Sequence, residues 1–133
     1  MSTVFLDTVG LIALWDDSDQ WHVAAHAAYS ALKSSRFKGI TTQLVIVECG
    51  NSSARRPYRG EVNRLRMKMT AKSRLIVPSE DEWDQAWKAY DRGEAANAGI
   101  VDQVSFIVMR RLGIRQAFTH DEHFRAAGFD TLF

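Results

Sequence analysis

The sequence is poor in cross-linking chemistry, in chain breakers and in net charge. One cysteine, Cys49, stands among 133 residues. No intrachain disulfide can form, and a zinc site built on cysteines is excluded. Cys49 reads as a small buried hydrophobe. Two prolines and no Pro/Gly/Ser-rich stretch leave no visible linker, so a single domain over residues 1–133 is expected. Apolar runs last only a few residues, as at Ile12–Trp15, against the roughly 20 that a membrane helix needs. The N-terminus has neither the basic region nor the small-residue cleavage site of a signal peptide. A cytoplasmic protein with no membrane association is the expectation. A net charge of +1 excludes nucleic-acid binding by bulk charge, but not by a local patch. With 46% hydrophobic and 25% charged residues, the composition is that of a globular domain.

What is present is an alternation of short apolar runs with helical patterns. Thr3–Leu6 is a β-prone run of the kind found in buried parallel sheets. A short helix over Val9–Trp15 ends at the turn cluster Asp16–Asp19, and a second runs from Trp21 to Leu32. Gly39–Thr42 reads as a second strand and Gln43–Ser53 as a helix with Leu44, Val47 and Ile46 inward. The stretch from Arg55 to Lys72 is basic, with Arg55, Arg56 and Arg59 at its start, and carries Val62, Leu65 and Met69 at helical spacing. Arg74–Val77 is a third strand. Ser79 and Glu82 form a capping box for the next helix, whose Trp83, Trp87 and Tyr90 fall on one stripe expected to be buried. A helix over Val101–Leu112 ends at Gly113 as a C-cap. Gln116–Thr119 is a fourth strand, His120–Ala127 a helical turn, and Phe129–Phe133 a final edge strand. Strands alternating with helices predict an α/β fold: a central, mainly parallel sheet with helices on both faces. In such sheets ligands bind at the carboxyl ends of the strands.

Four carboxylates fall near that edge. Asp7 follows the first strand and Asp121 the fourth. Glu48 lies one or two turns into the helix after the second strand, and Asp102 near the start of the helix preceding the fourth. Each has a purely structural alternative. Asp121 can cap the turn leading to Phe124, Asp102 can complement a helix dipole, and Asp7 can bond its own backbone. Glu48 is harder to explain this way, because a carboxylate among apolar neighbours is costly unless paired or metal-bound. Together, four acids at one edge repel unless cations join them. Mg²⁺ is a hard ion that takes carboxylates plus substrate phosphates, and two such ions about 3.5–4 Å apart can activate water against a phosphodiester. The basic segment would then hold the rest of a polyanion such as RNA; its structural alternative is a solvated helix face. His22 and His26 have i, i+4 spacing but no third ligand in view, and His120 and His123 are too close for an H-x-x-x-H zinc pair. No P-loop, nucleophile elbow or dinucleotide fingerprint is present.

Phe5–Ala13, the element Trp21-His22-Val23-Ala24-Ala25, and Thr41–Glu48 resemble successive blocks of PIN-domain proteins. Val101–Phe106, Met109–Ile114 and Ala117–Phe129 resemble the C-terminal half of the VapC-type ribonuclease toxins. The resemblance spans essentially the whole chain. It implies a PIN-like three-layer α/β/α sandwich with four to five strands. It also implies a Mg²⁺- or Mn²⁺-dependent endoribonuclease whose catalytic, metal-holding acids are Asp7, Glu48, Asp102 and Asp121. Thr8 and Ser105 then stand where a hydroxyl positions a carboxylate or water. Two positions depart from the family pattern: His120, where Phe is more usual, and Gln103, where Cys or a small residue is. Neither removes an acid.

The family implies a cognate antitoxin whose tail lies in an apolar groove near Leu11, Leu14, Trp15 and Val23 and inserts a cation among the acids. It also implies, with the tryptophan content, a homodimer. Two rivals remain at this level: a PIN-type RNA-processing nuclease without an antitoxin, and a non-catalytic module that binds RNA or a partner.

Overall fold

The computed structural model describes residues 2–133. The chain runs β1 (Ser2–Leu6), α1 (Thr8–Trp15), α2 (His22–Ser35), β2 (Phe37–Thr42), α3 (Gln43–Ser52), α4 (Arg59–Ala71), β3 (Leu75–Ile76) and α5 (Glu80–Asp91). It continues through α6 (Glu94–Asn97), α7 (Ile100–Leu112), β4 (Gln116–Phe118), α8 (Glu122–Ala126) and β5 (Asp130–Thr131). The five strands form one sheet in the order β3-β2-β1-β4-β5, with every pairing parallel. Parallel neighbours require crossovers, and the helices supply them. Among the described residues, no helix is long and apolar enough to cross a membrane.

β1 is the central strand, which is why its second half, Val4-Phe5-Leu6, is apolar without alternation and fully buried. The aromatic core lies beside it: Phe106 meets Phe124 edge-on at 4.9 Å, and Phe5 lies 6.3 Å from Phe124. Two contacts fix the carboxyl end of β1. The buried Thr41 hydroxyl donates to the Leu6 carbonyl at 2.6 Å, and the register places Leu6 opposite Phe118 of β4. Asp7 and Thr119, the next residues of the two strands, are therefore neighbours. Gly10 lets α1 come this close to β4. A Cβ at that position would sit 2.0 Å from the Phe118 carbonyl oxygen, so no side chain fits without backbone movement.

Several local expectations are met. Ser79 and Glu82 form a full capping box at α5, and Gly113 ends α7 in the left-handed conformation at φ 68°. Cys49 is fully buried, with its thiol pushed up to about 12, chiefly by burial.

Others are corrected. The inward residues of α3 are Val45, Ile46 and Cys49, whereas Val47 is 59% exposed. The buried stripe of α5 is Glu82, Ala86 and Ala89, and Trp87 and Tyr90 point outward as an edge-on pair. The reason is small-residue packing against Val104 and Val108 of α7, together with an ion pair from Glu82 to Arg111 at 2.7 Å. Arg55 and Arg56 lie in turns between α3 and α4 rather than in a helix, and Arg59 opens α4. The fourth strand stops at Phe118 and the last is only Asp130–Thr131.

Between α5 and α7 the backbone reverses hand. Ala95, Ala96 and Asn97 all have φ of 55–60°. Left-handed backbone costs an L-residue with a Cβ roughly 1–2 kcal/mol, so something must hold this turn. The buried Gln103 amide does so, donating to the carbonyls of Glu94 at 2.9 Å and Ala98 at 3.3 Å.

Candidate active site

Asp7 sits at the N-cap position of α1 yet makes no capping bond with its side chain. It is 1% exposed. Its Oδ2 accepts a hydrogen bond from the Thr119 hydroxyl at 2.8 Å, and Thr119 Oγ1 in turn accepts from the backbone N–H of Asp121 at 3.1 Å. One buried threonine thus ties the first acid to the loop carrying the fourth. Sequence reasoning does not single this residue out. The available signal is a threonine between a strand end and an acid two positions on, a spacing that makes a side-chain turn.

Glu48 lies on α3, half-buried, and accepts a hydrogen bond from the Thr8 hydroxyl. Thr8 thus links the start of α1 to the carboxylate on α3. Asp102 lies in the first turn of α7. Asp121 caps α8, its Oδ1 accepting from the backbone N–H of His123 at 2.9 Å, and the His123 ring Nδ1 lies 2.8 Å from the same oxygen. The structural alternative for Asp121 is thus met: it caps α8. The Ser105 hydroxyl bonds a backbone carbonyl rather than an acid. The residue is fully buried, and its hydroxyl donates back to the Val101 carbonyl at 3.0 Å, which satisfies it within α7.

The four acids share one electrostatic neighbourhood. Burial, then the charges of Asp102, Asp121 and Glu48, raise the Asp7 carboxyl to about 8 against the lowering effect of Thr119. Burial, Asp121 and Glu48 raise Asp102 to about 7. Desolvation and like charge together thus hold two of the acids near neutrality, as at sites whose carboxylates act together. Asp102, Asp121 and His123 each offer one ligand atom, and these atoms lie within 4.8 Å of one another. The oxygen-rich donor set fits a hard divalent cation, with one imidazole nitrogen at its margin. The hydrogen bond to Asp121 is the first cause that raises the His123 ring above the ordinary imidazole value.

The remaining candidates lie elsewhere. His22 Nδ1 lies 2.9 Å from the Ala13 carbonyl oxygen, and His26 is 6.1 Å away between ring centroids, with no acid completing a zinc site among the described residues. Arg55, Arg56 and Arg59 are exposed beyond the C-terminal end of α3, the helix that carries Glu48. Leu11, Leu14 and Trp15 line a groove of about 190 Å³ with Leu65 of α4, while Val23 is 80% exposed and outside it. A larger cavity, about 680 Å³, closes on Glu82 and Arg111 and includes none of the four acids.

Comparison with known proteins gives a consistent result. The family model described as PIN domain matches residues 4–130. The chain is 29% identical over 131 residues to the protein named 23S rRNA-specific endonuclease VapC20 from two strains of Mycobacterium tuberculosis, CDC 1551 / Oshkosh and ATCC 25618 / H37Rv, covering 95% of either chain. The crystal structure of M. tuberculosis VapC20, described as a sarcin-ricin loop cleaving toxin, superposes with a TM-score of 0.75 at 27% identity, again over 95% of both chains.

Proposed function

The chain belongs to the PIN domain family, and on that premise we propose that it is a VapC-type endoribonuclease toxin that hydrolyses RNA phosphodiesters with Mg²⁺ or Mn²⁺. The observation that carries this reading is the convergence of Asp7, Glu48, Asp102 and Asp121 from four separate segments, with Asp7 and Asp102 raised towards neutrality by burial and mutual repulsion. A binding module with no chemistry has no reason to keep such a costly arrangement. The likeness to VapC20, a 23S rRNA-specific endonuclease by name, supports RNA as the substrate class and makes ribosomal RNA the first to test. The whole chain, 1–133, acts as a single PIN unit in the cytoplasm.

In this reading Asp7, Glu48, Asp102 and Asp121 would hold the ion, and the chemistry it would supply when bound is Lewis-acid charge for a water and a phosphodiester oxygen. The chain's own part is positional. Thr119 fixes the Asp7 carboxylate, Thr8 fixes Glu48, and His123 with its backbone N–H fixes Asp121. Ligands held this way meet the ion without reorganising. Arg55, Arg56 and Arg59 neutralise flanking phosphates. The purified protein is expected to cut RNA, to stop on chelation, to recover with Mg²⁺ or Mn²⁺, and to lose activity in Asp7→Asn, Glu48→Gln, Asp102→Asn and Asp121→Asn. Full activity in all four variants would refute the assignment.

Two partners follow from the same reading. A cognate antitoxin lays an apolar segment along the groove at Leu11, Leu14 and Trp15 and sends an arginine among the acids, where its planar fork pairs with carboxylates. It should compete with divalent metal, and truncating its tail should abolish that competition. A homodimer forms through the exposed face of α5, where Trp87 and Tyr90 are 47% and 46% exposed. Trp87→Glu should shift the sedimentation coefficient to that of a monomer.

A further inference from the structure

An aromatic stack and a cavity lie beside the acid cluster. Trp21, just before α2, stacks on His120 with ring centroids 4.3 Å apart and planes 16° from parallel. The aromatic pairs of the core are tilted or edge-on, at 32–86°. His120 is backed in turn by Phe133 at 5.5 Å, and the Asp19 carboxylate accepts from the Trp21 backbone N–H at 2.8 Å. The result is a flat ring, backed on one side, that remains 38% exposed. It borders a cavity of about 410 Å³. Val9 and Ile12 give this cavity apolar surface, and Asp19, Gln20 and Ser52 give it hydrogen-bonding groups.

The cavity touches the acid site at two points. Thr8, in its lining, bonds Glu48, and His120 directly precedes Asp121. Ser52 leads into the turn carrying Arg55 and Arg56. A flat aromatic face with polar groups at its edge, between a phosphodiester site and a basic loop, is what an unstacked nucleobase needs.

We propose that Trp21, stabilised by His120, is the stacking platform for one nucleobase of single-stranded RNA next to the scissile phosphate, with Asp19, Gln20 and Ser52 reading its edge. This rests on the RNase reading above and adds the subsite that selects the nucleotide. The His120 ring supplies the stack and carries ring nitrogens at its rim.

The test uses the full chain in chelator with a short, end-labelled single-stranded RNA in which an abasic nucleotide is walked through the sequence. Affinity is read by fluorescence anisotropy. Trp21→Ala should weaken binding about tenfold, within the range for loss of one base stack, and Trp21→Phe should restore most of it. One abasic position should cost the wild type the same factor and cost Trp21→Ala nothing more, because the two changes remove the same stack. If the two losses multiply, or if no abasic position matters to the wild type, the subsite is refuted. The wild-type abasic scan decides this even if Trp21→Ala fails to fold. Cleavage by the wild type with metal restored is scored separately. A protein that cuts RNA without the abasic effect overturns only the subsite, whereas one that neither binds nor cuts RNA overturns both readings.

Discussion

Neutralising Asp7 should stabilise the metal-free protein, and the gain should depend on pH in a defined direction. The Asp7 carboxyl rises from 3.8 to about 8, first because it is buried and then because Asp102 is charged nearby. A carboxyl whose folded pKa exceeds its unfolded value binds its proton more tightly when folded. Its contribution is therefore most favourable below the unfolded value and is lost as pH rises through about 8. At about 1.4 kcal/mol per pH unit, ionising Asp7 in the fold costs up to about 6 kcal/mol above that window. Relaxation and water entry leave roughly 2–5. In Asp7→Asn the oxygen that accepts from Thr119 survives and the charge does not. With roughly 3–5 °C of melting temperature per kcal/mol for a chain of this size, the variant should melt roughly 10 °C above wild type at pH 8 in chelator. The gap should shrink as pH falls towards 5. Adding Mg²⁺ or Mn²⁺ should reverse the order, because only the wild type gains from binding. Scanning calorimetry across pH, with and without metal, measures all of this. An Asn variant no more stable than wild type at pH 8, or a gap that ignores pH, would refute the account of the cluster.

Three further outcomes are expected. Thr119→Val should keep the fold but lower cleavage at least tenfold, because it frees the Asp7 carboxylate and the Asp121 N–H together; steady-state kinetics beside a far-ultraviolet spectrum would show it. Gly10→Ala should cost about 1–3 kcal/mol in urea unfolding, since its Cβ meets the Phe118 carbonyl oxygen at 2.0 Å, and the strain should also disturb Asp7. Replacing Arg55, Arg56 and Arg59 with Ala should reduce the slope of log affinity against log salt by about 0.7 for each phosphate no longer neutralised, while cleavage of very short RNA suffers less.

Most of the architecture is written locally in the chain. Val4-Phe5-Leu6 reads as a central strand because a strand covered on both faces has no polar side to show. The capping box at Ser79 and the left-handed Gly113 are set by neighbours within a few residues, so sequence suffices for them. The acids are legible for a related reason: strand ends in a parallel sheet share one edge, so Asp7 and Asp121 can be placed together without knowing any packing. Tertiary structure decided the rest. Trp83, Trp87 and Tyr90 share a helical stripe with the right period to be core, yet Trp87 and Tyr90 face outward because Ala86, Ala89 and the Glu82–Arg111 pair fit against α7 more closely than rings would. Val47 faces outward because Val45, Ile46 and Cys49 already fill the inner face of α3. Thr119 and Gln103 gain their roles only from residues that reach them through folding: Asp7, 112 positions away, and the left-handed turn that ends at Ala98. Periodicity tells which residues share a face. Which face is buried depends on the shape of what packs against it, and that is a property of the assembled core.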